Sequence, residues 1–241
     1  MIEHYDDFFR KFTADYQVVV CEHPGQGFSV HKPSFGFTLP EHSEAIEEMI
    51  LQLDLTRVIL ILPCVAAYVG LPLAHRHPRR VHRVVLLQAP AWEEERKWVA
   101  RIDPRHLLRC PGLGQLIMGR IRYRKKMATV WYKIALANKQ DRPRFTDVAH
   151  QEFDHGGCFC LASMLQQFMR HHPTFEPISQ PTLIIWGMKD KSHLPTDKQT
   201  ARQLAQQTTY YEWDDAGHFP ELEQTDRFKR VLDDFLQEEP S

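Results

Sequence analysis

The chain carries almost no net charge and lacks an uninterrupted apolar segment of membrane-spanning length. Its 30 Lys and Arg residues offset 31 Asp and Glu residues, which leaves a formal net charge of -1 at pH 7. Proteins that bind nucleic acid or anionic membranes present a basic surface, so this composition predicts neither kind of partner. The main apolar stretch, Val58 to Ala74, is interrupted by Pro63, Gly70 and Pro72. Because a membrane-spanning helix needs about 20 apolar residues, we expect no membrane span.

Signals of secretion and of metal binding are also weak. The N-terminal sequence MIEHYDDFFRKF mixes acidic and basic residues and has no apolar core of the kind that a signal peptide needs. The five cysteines are an odd number, scattered along the chain, which predicts reduced thiols and a cytoplasmic protein. Cys158, Cys160 and the nearby His155 lack the second cysteine pair of a common zinc motif. We therefore expect no metal and no cofactor.

Strand-like and helix-like segments alternate along most of the chain. Runs of β-branched and aromatic residues predict strands at Tyr16–Cys21, Val58–Leu62, Val81–Leu87, Pro181–Trp186 and Thr209–Trp213. Apolar residues at helical spacing predict helices at Asp6–Ala14, Pro40–Leu53, Val65–Ala74, Pro195–Gln206 and Glu223–Leu236. This alternation favours an α/β fold with a mostly parallel, doubly wound sheet.

The middle of the chain, residues 92–177, departs from this pattern and is helical, aromatic and basic. It predicts a helical insertion between two parts of one core, residues 1–91 and 178–241. An insertion that covers the ends of strands commonly acts as a lid. Its basic run, Arg120–Lys126, is interpreted as a solvated helical face, with docking of an acidic carrier or a phosphate as the alternative. Five histidines are interpreted as surface or lid residues: His150, His155, His171, His172 and His193.

Cys64 lies at a strand–turn–helix junction. Pro63 stops the preceding strand because it has no N–H for a sheet ladder, and an apolar helix follows. This arrangement places the thiol at the carboxyl end of the sheet and at a helix N-terminus, where the dipole favours an anion. The alternative is an ordinary buried strand–helix unit in which Cys64 is only a small core residue.

Two further chemically capable side chains follow later strands. Asp190 comes just after the strand ending at Trp186, and His218 lies in a Gly-containing turn after the strand ending at Trp213. Because all three residues follow carboxyl ends of strands, Cys64, Asp190 and His218 are expected to converge at one edge of the sheet.

The order nucleophile, acid, histidine resembles that of the lid-bearing α/β-hydrolase fold superfamily, and the sequence is similar to esterases and carbon–carbon bond hydrolases from about Tyr16 to Leu236. Five motifs carry the resemblance: HPGQGFS at His23–Ser29, LPCVA at Leu62–Ala66, AHRHPRRVHRVVLL at Ala74–Leu87, WGMKD at Trp186–Asp190 and AGHFPELEQ at Ala216–Gln224. The resemblance implies that Cys64 attacks an acyl carbonyl, His218 transfers the proton and Asp190 orients the imidazole. It also implies that the Val65 N–H is an oxyanion donor and that the substrate is a small ester, thioester or lactone.

The sequence departs from the family pattern around the nucleophile. Cys64 replaces a serine, while Leu62 and Ala66 replace the two glycines that flank the elbow. Pro72 is expected to interrupt the following helix. The family strand that carries a second oxyanion donor has no counterpart, which predicts either a truncated N-terminus or a degenerate fold in which Tyr16–Cys21 pairs with Val58–Leu62 or both edges lie unpaired.

Two functional hypotheses follow. The first is a cytoplasmic acyl hydrolase that uses a Cys64–His218–Asp190 triad, with weak or no esterase activity because one oxyanion donor is missing. The second is a catalytically degenerate α/β-hydrolase-fold protein that binds a small ligand or a partner without turnover. The sequence predicts no particular oligomeric state.

Overall fold

A computed structural model of the protein describes residues 1–123, 126–171 and 173–238. The strands are β1 Gln26–Gly27, β2 Val58–Pro63, β3 Val81–Leu87, β4 Cys158–Phe159, β5 Thr182–Gly187 and β6 Thr208–Trp213. The helices are α1 Asp6–Phe12, α2 Leu39–Gln52, α3 Ala66–Arg76, α4 Trp92–Ile102, α5 Leu113–Tyr123, α6 Lys126–Ala135, α7 Arg142–Asp154, α8 Leu161–Phe168, α9 Pro220–Glu223 and α10 Thr225–Gln237. Short 3₁₀ helices span Ile2–Tyr5, Lys191–His193 and Lys198–Leu204.

Four strands form a parallel sheet in the order β2-β3-β5-β6. Leu62 pairs with Leu86 across β2 and β3, and Leu86 pairs in turn with Ile184 of β5. Every residue of the central strand β5 is buried, as expected for a parallel sheet that is covered on both faces. The predicted α/β class with a mostly parallel sheet is therefore confirmed.

Side chains along the central strands point alternately to the two faces of the sheet. They pack into two hydrophobic cores, one on each face. Val85 and Leu87 of β3 pack with Leu183 and Ile185 of β5 in one core, which also takes side chains from α1, α6, α7 and α10. Val84 and Leu86, one residue out of phase, belong to the opposite core with side chains of α2 and α3. The period of two along a strand thus gives the doubly wound arrangement that the alternation of elements predicts.

The predicted strand Tyr16–Cys21 is wrong, because residues 17–23 adopt no regular secondary structure. Among the described residues β2 pairs only with β3, so the predicted direct pairing of this segment with β2 is also not formed. Tyr16 and Val18 instead pack their side chains against the core, and the Tyr16 hydroxyl donates a hydrogen bond of 2.6 Å to Asp233. High β-propensity depends on packing and pairing context, and no neighbouring strand supplies a ladder here.

Two helix predictions are also corrected. The predicted helix Pro195–Gln206 forms only the 3₁₀ helix Lys198–Leu204. Pro72, which was expected to interrupt the helix after Cys64, lies inside a continuous α3. An interior proline removes one backbone hydrogen bond, but α3 is held by the core, where Leu71 and Leu73 are each 1% exposed.

Leu62 fits beside the Cys64 turn because α3 has a glycine where the leucine side chain lies. A Cβ atom added to Gly70 would lie 2.5 Å from both terminal carbons of Leu62. Leu62 stands where the family pattern has a glycine that allows close packing around this turn. In the structure, the Leu62 side chain occupies space that is free because Gly70 of α3 has no side chain.

The segment between β3 and β5 is helical and contains α4 to α8. Its two-residue strand β4 pairs antiparallel with β1, which joins the segment to the turn of the HPGQGFS motif. Part of the basic run Arg120–Lys126, and His172 as well, lie outside the described residues. None of the helices in the described part of the chain is long and apolar enough to cross a membrane.

The contact between Leu62 and Gly70 gives a test of the packing around the turn. We expect Gly70→Ala to lower the free energy of unfolding by about 1–3 kcal/mol, since overpacking a well-filled core has costs of this size. Adding Leu62→Ala should remove most of the additional cost of Gly70→Ala in a double-mutant cycle measured by denaturant unfolding.

The matched control is Gly119→Ala in α5, where an added Cβ meets open space. Alanine favours a helix over glycine by up to about 1 kcal/mol, so this control should be neutral or stabilising. Additivity of Gly70→Ala and Leu62→Ala would contradict the assignment of the clash to this pair.

Candidate active site

Cys64 occupies a strained turn between β2 and α3. Its backbone φ is +50°, a left-handed conformation that is uncommon for a residue with a side chain. Its N–H donates to the Leu87 carbonyl at 2.7 Å, and its own carbonyl accepts from the Ala67 N–H at 3.0 Å. These bonds hold the turn so that the thiol is half-buried at the strand end. Val65 is the N-cap residue of α3, and its N–H favours the thiolate of Cys64.

Asp190 and His218 form a buried hydrogen-bonded pair. His218 Nδ1 lies 2.6 Å from Asp190 Oδ2, and each residue is 2% exposed. Burial acts to raise the pKa of Asp190. The charge of His218 and its hydrogen bond to Asp190 outweigh burial and lower this pKa to about 2. Burial acts to lower the pKa of His218. Asp190 and Cys64 outweigh burial and raise this pKa well above its usual range. The pair therefore holds the imidazole in one orientation with Nδ1 facing the carboxylate.

Gln88 is a residue of this site that the sequence analysis missed. It follows β3 directly, is fully buried and has a backbone φ of +50°. Its amide nitrogen donates to Asp190 Oδ2 at 3.0 Å, and its amide oxygen accepts from the Gly187 N–H at 2.7 Å. Gln88 thus fixes Asp190 relative to the neighbouring strand. The same strand-end reasoning that identified Asp190 and His218 could have found it.

The loops that carry Asp190 and His218 approach each other very closely. A Cβ atom on Gly187 would lie 1.8 Å from the Gly217 carbonyl oxygen, and one on Gly217 would lie 2.1 Å from the Ala135 carbonyl oxygen. The His218 N–H donates to that same Ala135 carbonyl at 2.8 Å. The C-terminal end of α6 therefore helps to place the histidine, and glycine is needed at both contacts.

Cys64 interacts electrostatically with His218 and with a second acid, Glu95 of α4. Burial and the charge of Glu95 raise the pKa of the Cys64 thiol, while His218 acts in the opposite direction through its charge and a side-chain hydrogen bond. Burial also raises the pKa of Glu95 to about 7, although the nearby His218 charge lowers it. The observed hydrogen-bonded unit is His218–Asp190, and the role of Cys64 as nucleophile stays a prediction.

His193 belongs to this site, which corrects its interpretation as a surface or lid residue. It is 2% exposed and lies in the short 3₁₀ helix after Asp190. Its ring stacks on Trp98 of α4, with centroids 5.0 Å apart and an interplanar angle of 3°, and on His218 at 5.5 Å. Ligand-type atoms of Cys64, Glu95 and His193 all lie within 4.8 Å of one another.

No curated protein matches the chain in sequence. Many solved structures share its fold, and three of them, each under 20% identical to the chain, illustrate the likeness. An esterase from Exiguobacterium antarcticum has a TM-score of 0.72 and 17% identity, over 98% of this chain and 87% of its own. An enol-lactonase from Burkholderia xenovorans has a TM-score of 0.69 and 19% identity, over 98% and 87%. An epoxide hydrolase from Bacillus megaterium has a TM-score of 0.68 and 16% identity, over 98% and 89%.

At such identities the structural likeness concerns the fold. The model of the alpha/beta hydrolase fold family, however, matches residues 4–225 of the sequence. That range includes Cys64 at its strained turn and the two loops that pair Asp190 with His218. Motif order, parallel sheet and family match agree, and the chain belongs to the α/β-hydrolase fold family.

Proposed function

We propose that this protein is an acyl hydrolase in which Cys64, His218 and Asp190 form the catalytic triad. The observation that carries the proposal is the buried 2.6 Å hydrogen bond between His218 and Asp190, and the His218 imidazole also interacts electrostatically with Cys64. A base that is oriented by a third group and faces a nucleophile is the arrangement that covalent catalysis requires.

The residues perform the following steps. His218 takes the thiol proton as the Cys64 sulfur bonds to the acyl carbonyl carbon, and the carbonyl oxygen becomes an oxyanion near the Val65 N–H. The intermediate then collapses, the C–O or C–S bond to the leaving group breaks, and His218 gives its proton to that group. Water, deprotonated by His218, next attacks the thioester and releases the carboxylic acid and the free thiol. Asp190 stabilises the imidazolium in both halves of the cycle.

The substrate class is a small ester, thioester or lactone. A half-buried thiol at the end of a parallel strand suits a small acyl group, and two of the structural neighbours are described as an esterase and an enol-lactonase. The absence of a carboxylate at position 64 separates this chain from hydrolases that form an alkyl-enzyme ester.

The helices of residues 92–177 are proposed to act as a lid. Trp98 of α4 stacks on His193, and Trp131 of α6 contacts the His218 ring edge-on at 5.0 Å. Trp131 covers part of the base directly, and Trp98 covers His193, which in turn stacks on the base. Exclusion of water strengthens the electrostatic interactions within such a site.

The second hypothesis, a degenerate protein that binds a ligand without turnover, is favoured by one observation. Glu95 and burial raise the pKa of Cys64, whereas a thiol nucleophile normally needs a lowered pKa. The two hypotheses differ in whether Cys64-dependent turnover occurs.

Turnover of a p-nitrophenyl ester tests the catalytic proposal. We expect a slow reaction, because burial and the charge of Glu95 raise the pKa of the Cys64 thiol and the thiolate is the reactive form. Cys64→Ala should abolish it, and His218→Ala should reduce kcat by about 10²–10⁴-fold because the general base is lost.

Asp215→Asn serves as the control, because Asp215 is an exposed acid of the same loop that pairs with Arg227. It should leave kcat unchanged. Equal turnover in wild type and Cys64→Ala would contradict the proposal, and no turnover in any protein that is folded by circular dichroism would favour the binding hypothesis.

Alkylation rates test the electrostatic balance at Cys64 without any turnover. The thiol pKa is raised, so labelling by iodoacetamide should increase as pH rises through and beyond the usual thiol range. Glu95→Gln removes the negative neighbour and should shift this curve to lower pH, whereas His218→Ala removes the positive neighbour and should shift it to higher pH.

Mass spectrometry reports the site, with exposed Cys21 and Cys110 as internal references. Glu93→Gln, an exposed change on the same helix, should leave the curve in place. An unchanged curve in both Glu95→Gln and His218→Ala would show that neither group acts on the thiol.

A further inference from the structure

A cluster of three side chains lies beside the His218–Asp190 pair, and two of its members, Glu95 and His193, have no assigned role in the proposed reaction. It joins Cys64 of the strained turn, Glu95 of α4 and His193 of the 3₁₀ helix. The Cys64 sulfur, a Glu95 carboxylate oxygen and a His193 ring nitrogen lie within 4.8 Å of one another. We propose that these three residues form a binding site for Zn²⁺.

The chemistry of the three ligands fits zinc. Zinc in proteins is bound by thiolate, imidazole and carboxylate, with bonds of about 2.0–2.3 Å that place tetrahedral ligands about 3.3–3.7 Å apart. Separations within 4.8 Å therefore need an inward movement of about 1 Å or less. Hard cations such as Mg²⁺ prefer oxygen ligands, so the sulfur and nitrogen favour zinc.

Two of the three side chains each carry a buried polar atom without a partner. Glu95 Oε2 and His193 Nε2 have no hydrogen-bond partner within the described parts of the chain, and each residue is 2% exposed. A buried polar atom without a partner destabilises the folded state. A cation bound between them removes this destabilisation for both atoms at once.

The surroundings of His193 hold its ring in a ligating orientation. Trp98 stacks on one face and Trp186 meets the ring edge at 90°. Nδ1 lies 3.2 Å from the Thr196 hydroxyl oxygen. With the proton on Nδ1, that oxygen accepts the hydrogen bond and Nε2 presents its lone pair, which is how metal-ligating histidines are usually held.

A neighbouring set of atoms fits a metal less well. Atoms of Asp190, His193 and His218 also lie within 4.8 Å of one another. Both carboxylate oxygens of Asp190, however, already accept hydrogen bonds, Oδ1 from Ser192 and Oδ2 from Gln88 and His218. Cys64 and Glu95 are therefore the partners left for His193.

Binding would take the thiol out of the proposed reaction. The Cys64 proton passes to solvent, the sulfur bonds to the ion, and thiolate plus Glu95 carboxylate balance its two positive charges. The sulfur lone pair is then unavailable to an acyl carbon. This consequence, inhibition by Zn²⁺, rests on the proposed function, whereas binding itself does not.

Cobalt substitution tests binding directly in the full chain after treatment with a chelator. We expect one equivalent of Co²⁺ to give a thiolate-to-metal charge-transfer band that Zn²⁺ displaces. Cys64→Ser should remove the band, and His193→Gln and Glu95→Gln should each weaken binding by more than about tenfold. The double variant Cys158→Ser/Cys160→Ser should keep the band, which separates this site from the thiols of the C-x-C pair.

Two further measurements keep the test independent of turnover and of folding. One equivalent of Zn²⁺ should stop iodoacetamide labelling of Cys64 but not of Cys110, and should raise the Tm of wild type but not of His193→Gln. A band that is absent from wild type, persists in Cys64→Ser or disappears in Cys158→Ser/Cys160→Ser would overturn the proposal. Lack of ester turnover with an intact band would contradict only the hydrolase assignment.

Discussion

The buried hydrogen bond between His218 and Asp190 is the contact on which the C-terminal half of the structure depends. It joins the loops that follow β5 and β6. Both side chains are buried, so leaving either charge without its partner would strongly destabilise the folded state. Removing one partner of a buried pair typically costs about 3–5 kcal/mol. Gln88, which follows β3, donates a hydrogen bond to the Asp190 carboxylate. The glycines at 187 and 217 let the two loops approach closely enough for the bond between His218 and Asp190 to form.

The placement of His218 also depends on contacts with the helical segment, residues 92–177. The Ala135 carbonyl at the end of α6 accepts the His218 N–H, and the Glu223 carboxylate accepts from the N–H groups of both Gly217 and Ala137. Burial raises the pKa of Glu223 to about 7 even though these N–H groups act in the opposite direction. The placement of the histidine thus depends on backbone contacts from a part of the chain about 80 residues away.

Residues that follow strand ends could be placed from the sequence because the carboxyl ends of parallel strands lie at the same edge of a sheet. The convergence of Asp190 and His218 follows from this rule, and the fold class follows from the alternation of elements, whereas the role of Cys64 stays a prediction. Glu95 and His193 could not be found, since their positions depend on how α4 and a 3₁₀ turn pack on the sheet edge. Tyr16–Cys21 was misassigned because a β-rich sequence specifies a strand only where a neighbour offers hydrogen-bond partners.

Burial has the largest effect on the pKa of the Cys64 thiol and raises it, and two opposed charges act on the thiol as well. His218 favours the thiolate and Glu95 disfavours it, and burial adds to the effect of Glu95. Glu95 disfavours the Cys64 thiolate when no cation is bound. With a cation bound between the two residues, Glu95 would instead help to stabilise the thiolate. The cluster is therefore suited to a thiolate only when a positive charge accompanies it, whether that charge belongs to the imidazolium or to a bound ion.

The contact of Leu62 with Gly70 makes the two positions epistatic. With leucine at 62, a Cβ atom at 70 is not accommodated without a shift. The identity of residue 62 therefore restricts which residues are tolerated at 70, although the two positions lie on different elements. A substitution at either position is expected to have an effect on stability that depends on the residue at the other.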